Sequence, residues 1–236
     1  MLLMRHRLLC CSDTHGVVPP VVDERGAVAW LHGGDICRGA EAADLHSDDD
    51  PLQDPSLKPV AEWFSSRSVP IYHVVGNHDV VDVYHVARWA KNITGLIVPI
   101  AGGLFVAGTG WHGERYYELP FEADLKRSCD SVLRMARRLL ASRDRVILLT
   151  HFPPRYIETH EVANNVDGGG VWFDCVRDVV AQLNVVAVVQ GHNHRWFGDV
   201  QHVRVANRNV LLANPGPTGC AITVDLTSGP TELDEL

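Results

Sequence analysis

The chain contains Leu8-Leu9-Cys10-Cys11-Ser12-Asp13-Thr14-His15-Gly16, in which a continuous apolar run leads directly into a polar segment. An apolar run without alternation predicts a strand that is buried on both faces. Asp13 and His15 follow this strand, and because residues i and i+2 point the same way, both side chains would lie on one side. The stretch therefore predicts a buried strand with a carboxylate and an imidazole together at its carboxyl end.

Polar segments follow other apolar runs along the chain in the same way. These segments contain Asp35 after Ala27–Leu31, Asn77 with His78 and Asp79 after Ile71–Val75, His151 after Val146–Leu149, and His192 with His194 after Val185–Val189. Each segment alone is weak evidence, since Asp-x-His tripeptides and glycine before aspartate also occur in ordinary turns. All of them in order, each at a strand end, are poorly explained by chance and predict one shared site.

The polar side chains of these segments are candidate metal ligands. They offer carboxylate, amide and imidazole donors and no thiolate, a set that suits manganese, iron or zinc, and also cobalt or nickel. Their order along the chain predicts a binuclear centre that holds two divalent or trivalent ions. The candidate ligands are Asp13, His15, Asp35, Asn77, His151, His192 and His194.

The segments between the predicted strands show helical periodicity. Apolar residues at i, i+3 and i+4 spacing predict a helix from Phe121 to near Ser142, a shorter one that ends at Leu183, and a third over Leu57–Arg67. After His194, short apolar pieces separated by turns predict antiparallel strands that close a second sheet. Strands that alternate with helices and are followed by a strand-rich tail favour a layered α/β sandwich.

Length and composition limit the classes of protein that fit. The chain has 236 residues, 46% hydrophobic and 21% charged, which predicts a single domain over residues 1–236. A net charge of −8 without any Lys/Arg run argues against a strong nucleic-acid-binding surface. No apolar stretch approaches the ~18 residues of a membrane span, and the first residues do not fit a secretory signal. No pattern indicates an oligomeric state.

The cysteines indicate the compartment. Six cysteines occur in the chain without a Cys-x-x-Cys spacing. In a chain of this length, that usage favours free thiols in a reducing environment. We therefore predict a cytoplasmic protein.

The polar segments, taken in order, resemble a known set of motifs. Asp-x-His, Gly-Asp, Gly-Asn-His-Asp, a single His and Gly-His-x-His run as in the calcineurin-like metallophosphoesterases, and the resemblance spans about Leu8 to Asp225. It implies a four-layer α/β/β/α sandwich with two mixed β-sheets flanked by helices. It also implies a first metal held by Asp13, His15, Asp35 and His194, and a second held by Asp35, Asn77, His151 and His192.

The resemblance implies a mechanism as well. Two metals about 3.5–4 Å apart clamp a phosphoryl group and lower the pKa of a shared water, and the resulting bridging hydroxide attacks phosphorus in line. His78 would be the histidine that protonates or stabilises the leaving oxygen. Asp79 would lie behind the ligands and orient a site histidine. Both are therefore candidate catalytic residues.

A narrower resemblance concerns the substrate. Thr150-His151-Phe152-Pro153-Pro154 and Gly110-Trp111-His112 are similar to segments of the brain protein 239-like phosphodiesterases, which favours a small, nucleotide-like phosphodiester. A phosphomonoesterase is the alternative, although a protein phosphatase is disfavoured because Gly34-Asp35-Ile36-Cys37-Arg38-Gly39 lacks that group's second aspartate. A DNA nuclease is disfavoured by the charge. A metal-binding scaffold without catalytic activity is a more distant alternative.

Several other polar residues lie near these motifs. The candidate substrate contacts are Arg38, His112, Arg115 and Arg155, which follow strand ends or metal motifs and could bind phosphate oxygens. The alternative for each is ordinary solvated surface. His32 and His73, inside apolar runs, are interpreted as core histidines with satisfied hydrogen bonds, not as ligands.

Overall fold

The computed structural model describes residues 5–20, 22–37, 57–79, 90–111, 121–154, 173–205, 207–226 and 232–234. Within these ranges the helices are α1 (Leu57–Ser65), α2 (Phe121–Leu139) and α3 (Asp174–Gln182), with a 3₁₀ turn at His194–Trp196. The strands are β1 (Arg5–Cys11), β2 (Ala27–His32), β3 (Ile71–His73), β4 (Ala90–Asn92), β5 (Ile97–Ala101), β6 (Leu104–Thr109), β7 (Arg145–Thr150), β8 (Val185–Val189), β9 (Asp199–Val205), β10 (Arg208–Asn214), β11 (Cys220–Asp225) and β12 (Glu232–Asp234).

The described strands form two mixed sheets. The first has the order β12-β11-β1-β2-β3-β4, and the second has the order β5-β6-β7-β8-β10-β9. β1, β2, β3 and β4 run parallel to one another, and so do β6, β7, β8 and β10. The pairs β11–β1, β11–β12, β5–β6 and β9–β10 are antiparallel. Because parallel strands end at the same edge of a sheet, the segments after β1, β2 and β3 lie together, and so do those after β7 and β8.

Within the described residues, three apolar clusters show how these elements are layered. Alternate residues of β1 explain the arrangement, since Leu8 packs between the two sheets while Leu9 packs against α1. On the far side of the second sheet, Leu148 of β7 packs against α2 and α3. The order is therefore α1, first sheet, second sheet, then α2 with α3, which is why β1 is apolar without alternation.

The helices follow the periodicity of the sequence. On α2, Leu125, Cys129, Val132 and Ala136 are buried at a spacing of three or four residues, as one face of a helix requires. On α3, Val176, Val179 and Val180 do the same. The predictions of a helix after Phe121 and of one ending near Leu183 are confirmed. None of the described helices is long and apolar enough to cross a membrane.

The tail of the chain differs from the expectation that it closes the second sheet. β9 and β10 do join that sheet, but β11 pairs antiparallel with β1 of the first sheet, with Leu9 opposite Ala221. The short apolar run of β11 fits either sheet equally well, so periodicity alone does not decide its partner. β4 and β5 were also not predicted; β5 contains Pro99 and lies at a sheet edge, where a missing N–H is tolerated.

Candidate metal centre

The candidate ligands lie on loops at the carboxyl ends of strands from both sheets. The first sheet contributes Asp13, Asp35 and Asn77 after β1, β2 and β3. The second sheet contributes His151 after β7 and the His192 segment after β8. A backbone hydrogen bond from Gly191 N to the His151 carbonyl at 3.2 Å joins the two loops of the second sheet.

One group of side chains converges on a single point. One ligand atom from each of Asp13, His15, Asp35 and His194 lies within 4.8 Å of the other three. His194 Nε2 is 3.4 Å from Asp13 Oδ1, and His15 Nε2 is 3.9 Å from Asp35 Oδ2. These are the four residues that the family resemblance implies for the first metal.

A second group lies beside the first and shares Asp35 with it. Asn77 Oδ1 is 2.8 Å from His151 Nε2 and 2.9 Å from His192 Nδ1. His151 Nε2 is in turn 3.4 Å from Asp35 Oδ2. The same carboxylate oxygen therefore faces both groups, which is the position that a bridging ligand needs.

The backbone at the candidate ligands adopts an unusual conformation. The φ angles are +51° at Asp13, +45° at His15, +54° at Asp35 and +69° at His192, and Asn207 is the only other described non-glycine residue with positive φ. Residues with a Cβ rarely adopt this region, although Asp, Asn and His do so most readily among them. Strain concentrated in this way is typical of functional sites.

Glycines allow the loops to approach one another closely. A Cβ added to Gly76 would overlap the Asp35 carboxylate, and one added to Gly191 would lie 2.6 Å from Asp13 Oδ2. Gly34 has φ +91°, and its added Cβ would lie 2.9 Å from His151 Nδ1. The glycines of the motifs are therefore required by contacts between loops as well as by turns.

His151 is held with one ring nitrogen turned toward the carboxylates. Its Nδ1 donates a hydrogen bond to the Gly33 carbonyl at 2.9 Å, which directs Nε2 to Asp35 and Asn77. Burial alone would lower the pKa of His151, but the Asp35 and Asp13 carboxylates and the hydrogen bond to Gly33 together raise the pKa to about 9. Burial would raise the pKa of Asp35, but the charge of His151 and the hydrogen bond from the His78 backbone N–H lower it.

The donors that converge here fit metal ions. His15 Nε2 and His194 Nε2 face each other at 3.3 Å, an approach in which at most one proton fits between two ring nitrogens. Asp13 Oδ2 is buried and makes no hydrogen bond to the described residues. Burial would raise the pKa of Asp13, but the hydrogen bond with His194 and the charge of His151 lower it. Ionised carboxylates and facing imidazole lone pairs are the arrangement that first-row metals bind.

A comparison of the sequence with family models agrees with the geometry of the candidate metal centre. Residues 6–196 match the family model described as calcineurin-like phosphoesterase. This chain belongs to that family. As a calcineurin-like phosphoesterase, it is a metal-dependent phosphoester hydrolase.

Solved structures share the fold of this phosphoesterase at low sequence identity. The protein TT1561 of Thermus thermophilus has a TM-score of 0.58 at 16% identity over 98% of each chain. A Staphylococcus aureus protein described as a putative 5′-nucleotidase has 0.59 at 12%, over 98% of this chain and 53% of its own. The phosphopantetheinyl hydrolase PptH of Mycobacterium tuberculosis has 0.56 at 12%, over 91% and 90%. None of the curated proteins matches this chain.

Asp79 makes contacts that differ from the predicted ones. It was expected to orient a site histidine, but its hydrogen bonds go to backbone amides of the loop that carries Asp35. Oδ2 accepts the N–H groups of Asp35 at 2.9 Å and Gly76 at 2.8 Å, and Oδ1 accepts those of Ile36 at 2.7 Å and Cys37 at 3.0 Å. Four donors fill the acceptor sites of one carboxylate. Among the described residues, Asp79 therefore shapes the Asp35 loop and hydrogen-bonds to no histidine.

His78 lies at the exposed rim of the phosphoesterase site. Its backbone N–H donates to Asp35 Oδ1 at 2.8 Å, while its side chain is exposed. The centre of its ring is 5.1 Å from that of His15. This places an imidazole next to the first group of candidate ligands without making it a member of that group.

The remaining predicted residues fall into two sets. Arg38, His112, Arg115 and Arg155, the candidate substrate contacts, lie outside the described residues. Among residues that the sequence did not single out, Asn214 donates from Nδ2 to the Asn193 carbonyl at 2.8 Å and so holds the turn between two ligands. Phe152 packs its ring 4.7 Å from His151 and 5.0 Å from His192. Phe152 directly follows the His151 motif, whereas Asn214 is distant from every motif in the sequence, and neither type of contact has a sequence signature.

Proposed function

We propose that this phosphoesterase uses two metal ions to hydrolyse a small, nucleotide-like phosphodiester. One observation carries the proposal: Asp35 Oδ2 faces His15 Nε2 at 3.9 Å and His151 Nε2 at 3.4 Å, and so stands between two groups of donors. A structural ion pair would not need a second set of ligands on the other side of the same oxygen. Two neighbouring metals would.

The ligands divide between the two positions as the geometry groups them. The first ion would be held by Asp13, His15, Asp35 and His194, and the second by Asp35, Asn77, His151 and His192. When bound, the pair supplies Lewis acidity to a phosphoryl group and to the attacking water. An oxygen- and nitrogen-donor set without thiolate favours manganese, iron or zinc.

The exposure of the ligands indicates where a substrate would enter. The side chain of His194 is 54% exposed and that of His15 is 25% exposed, whereas Asp35 is 1% exposed and His151 is fully buried. Substrate would therefore approach over the first metal position, on the side where His78 is exposed. The leaving group would then lie near the exposed His78.

His78 is the residue that we assign to the leaving group. Its ring is exposed and lies beside His15, and its backbone is fixed by the hydrogen bond to Asp35. From there the imidazole would donate a proton to the leaving oxygen as the ester bond breaks. Asp79 acts indirectly, because it holds the backbone amides of the loop on which Asp35 is carried.

One resemblance supports a diester, and the fold shared with other hydrolases supports a nucleotide-like substrate. The segments around His151 and Trp111 resemble those of the brain protein 239-like phosphodiesterases. The neighbour described as a putative 5′-nucleotidase and the phosphopantetheinyl hydrolase share the fold of this chain. The monoesterase alternative differs only in the ester that is cleaved, so the two are separated by direct comparison of substrates.

The test compares bis-p-nitrophenyl phosphate with p-nitrophenyl phosphate in the presence of manganese. Faster hydrolysis of the diester is expected, with Asp35→Asn as the inactive blank. His202→Ala is the matched control, because His202 is exposed on β9 and contributes nothing to the site. Faster hydrolysis of the monoester would replace the proposal with a phosphatase. No hydrolysis of either, with two metals bound, would favour a scaffold.

A further inference from the structure

A buried histidine is hydrogen-bonded to the two loops that carry Asp13, His15 and Asp35, three of the four candidate ligands of the first metal. His32 is the last residue of β2 and has no exposed surface. It is three residues before Asp35 and packs its ring edge-on against Phe64 of α1, with the ring centres 5.9 Å apart. The sequence predicted a core histidine with satisfied hydrogen bonds, and those bonds reach both loops.

We propose that His32 is a positioning residue that links the Asp13–His15 loop to the Asp35 loop through a directed chain of hydrogen bonds. The chain runs from Gly34 N–H through the imidazole to the Thr14 hydroxyl. This inference rests on the proposed function only in taking Asp13, His15 and Asp35 as metal ligands. His32 itself binds no metal and touches no substrate.

The direction of the chain is fixed at its first step. Gly34 N lies 3.2 Å from His32 Nδ1. A backbone N–H can only donate, so Nδ1 must be the unprotonated acceptor of the ring. The proton of the neutral imidazole is therefore on Nε2. Burial, together with neighbouring His73, lowers the pKa of His32 to about 3, which agrees with a neutral ring.

The second step carries the link to the other loop. His32 Nε2 lies 3.0 Å from Thr14 Oγ1. Because Nε2 carries the proton, it donates and the hydroxyl oxygen accepts, which leaves the hydroxyl hydrogen free to point elsewhere. The Ile36 carbonyl is 3.5 Å from Thr14 Oγ1 and takes that hydrogen. The chain thus returns to the loop from which it began.

The residues at the ends of the chain flank the ligands. Thr14 lies between Asp13 and His15, while Gly34 and Ile36 lie on either side of Asp35. Asp13, His15 and Asp35 all have positive φ. Strained backbones persist only where surrounding contacts fix them. His32 and Thr14 supply such contacts to both loops, and Asp79 adds further hydrogen bonds to the Asp35 loop.

Conservative substitutions test the two hydrogen bonds of His32 one at a time. His32→Gln places an amide N–H near the position of Nε2, and His32→Asn places a carbonyl oxygen near that of Nδ1. Thr14→Val removes the hydroxyl without changing the shape of the side chain, whereas Thr14→Ser keeps it. Thr109→Val is the matched control, because Thr109 is buried on β6 and its hydroxyl makes no hydrogen bond to the described residues.

The primary measurement is the Mn²⁺ affinity of the metal-free 236-residue chain by titration calorimetry. Thr14→Val is expected to bind Mn²⁺ about 10- to 100-fold more weakly, the usual range when a residue that orients ligands is removed. Thr14→Ser and Thr109→Val should bind like the wild type. Thr14→Val with wild-type affinity would overturn the proposal. Urea unfolding of each variant checks that every titrated protein is folded.

A second measurement does not depend on metal or on activity. Long-range ¹H–¹⁵N correlation spectra of the metal-free wild type report which ring nitrogen of His32 carries the proton. The proposal requires the proton on Nε2, and a proton on Nδ1 would overturn it even if the variants could not be purified. If the wild type bound no Mn²⁺, the proposed function would fail, and the spectrum would still decide the hydrogen-bond chain.

Discussion

The carboxylate of Asp79 accepts the backbone N–H of Asp35 at 2.9 Å, and so holds the backbone of the residue that faces both groups of candidate ligands. Three further amides, those of Gly76, Ile36 and Cys37, donate to the same carboxylate. Burial and the charge of Asp35 raise the pKa of Asp79. A fully hydrogen-bonded buried carboxylate thus sets the shape of the loop on which the central ligand lies.

Asp79→Asn is expected to lower the free energy of unfolding by about 2–6 kcal/mol. The new amide nitrogen would face two backbone N–H groups, and each buried donor left without an acceptor contributes about 1–3 kcal/mol. Urea unfolding at neutral pH measures the difference. Asp144→Asn is the matched control, since Asp144 Oδ2 accepts one exposed amide, that of Ala141, at 2.7 Å. Equal losses in both variants would contradict the role given to Asp79.

Gly76→Ala should reduce both stability and metal content. The added Cβ would overlap the Asp35 carboxylate, so the Asn77 loop and the Asp35 loop would have to move apart. Overpacking of this kind lowers stability by about 1–3 kcal/mol. Gly102→Ala, where no atom lies within 4 Å of the added Cβ, should leave both quantities unchanged. Thermal unfolding and elemental analysis measure them, and a fully metal-loaded Gly76→Ala protein would count against the packing argument.

His78→Ala should keep both metals and slow the hydrolysis of esters with poor leaving groups more than that of activated esters. General acid catalysis contributes about 10²- to 10⁴-fold, and it matters most where the leaving oxygen is basic. Turnover of a series of aryl and alkyl esters measures the slope against leaving-group pKa. An equal loss across the series would remove His78 from the acid role and leave it a binding residue.

Metal binding should release protons and strengthen as pH rises from 6.5 toward 9. The pKa of His151 in the metal-free site is raised from 6.5 to about 9, so its ring is protonated at neutral pH, and a metal must displace that proton. Apparent affinity should then increase up to about tenfold per pH unit across this window and level off above it. Calorimetry in buffers of different ionisation enthalpy counts the protons. Binding at pH 7.5 without proton release would contradict this.

The raised pKa of His151 has the opposite pH dependence for the stability of the metal-free protein: stability falls as pH rises. A histidine whose folded pKa is raised from 6.5 to about 9 adds stability that is complete below pH 6.5 and is lost as pH rises through 9. His192 acts the other way, since burial first and His151 next lower its pKa to about 4. Its contribution is present above pH 6.5 and is lost as pH falls toward 4.

Sequence patterns predicted the elements that follow a period and the residues that end them. The helical spacing of apolar residues from Leu125 to Ala136 predicted α2, because that spacing is a local property of the sequence. The positions of Asp13 and His151 at strand ends were predictable because each follows an apolar run. The partner of β11 was not predictable, since its apolar run suits either sheet. The contacts of Asp79 could not be predicted from the sequence either, because any residue type can supply the backbone amides that donate to its carboxylate.

Contacts between distant loops explain most of the remaining differences. Gly76 and Gly191 are ordinary turn residues in the sequence, and only the structure shows that Asp35 and Asp13 fill the space of a Cβ. Likewise, the apolar surroundings of His32 predicted burial, but the tautomer follows from the position of Gly34 N. Such facts depend on the path of the chain in three dimensions.

The central claim, that two metals share Asp35, is tested most directly by counting Mn²⁺ ions bound per chain in the wild type and in Asp35→Asn. The account predicts two ions per wild-type chain, fewer than two in the variant, and loss of nearly all phosphodiester hydrolysis with them. Two ions retained at full occupancy by Asp35→Asn would contradict it.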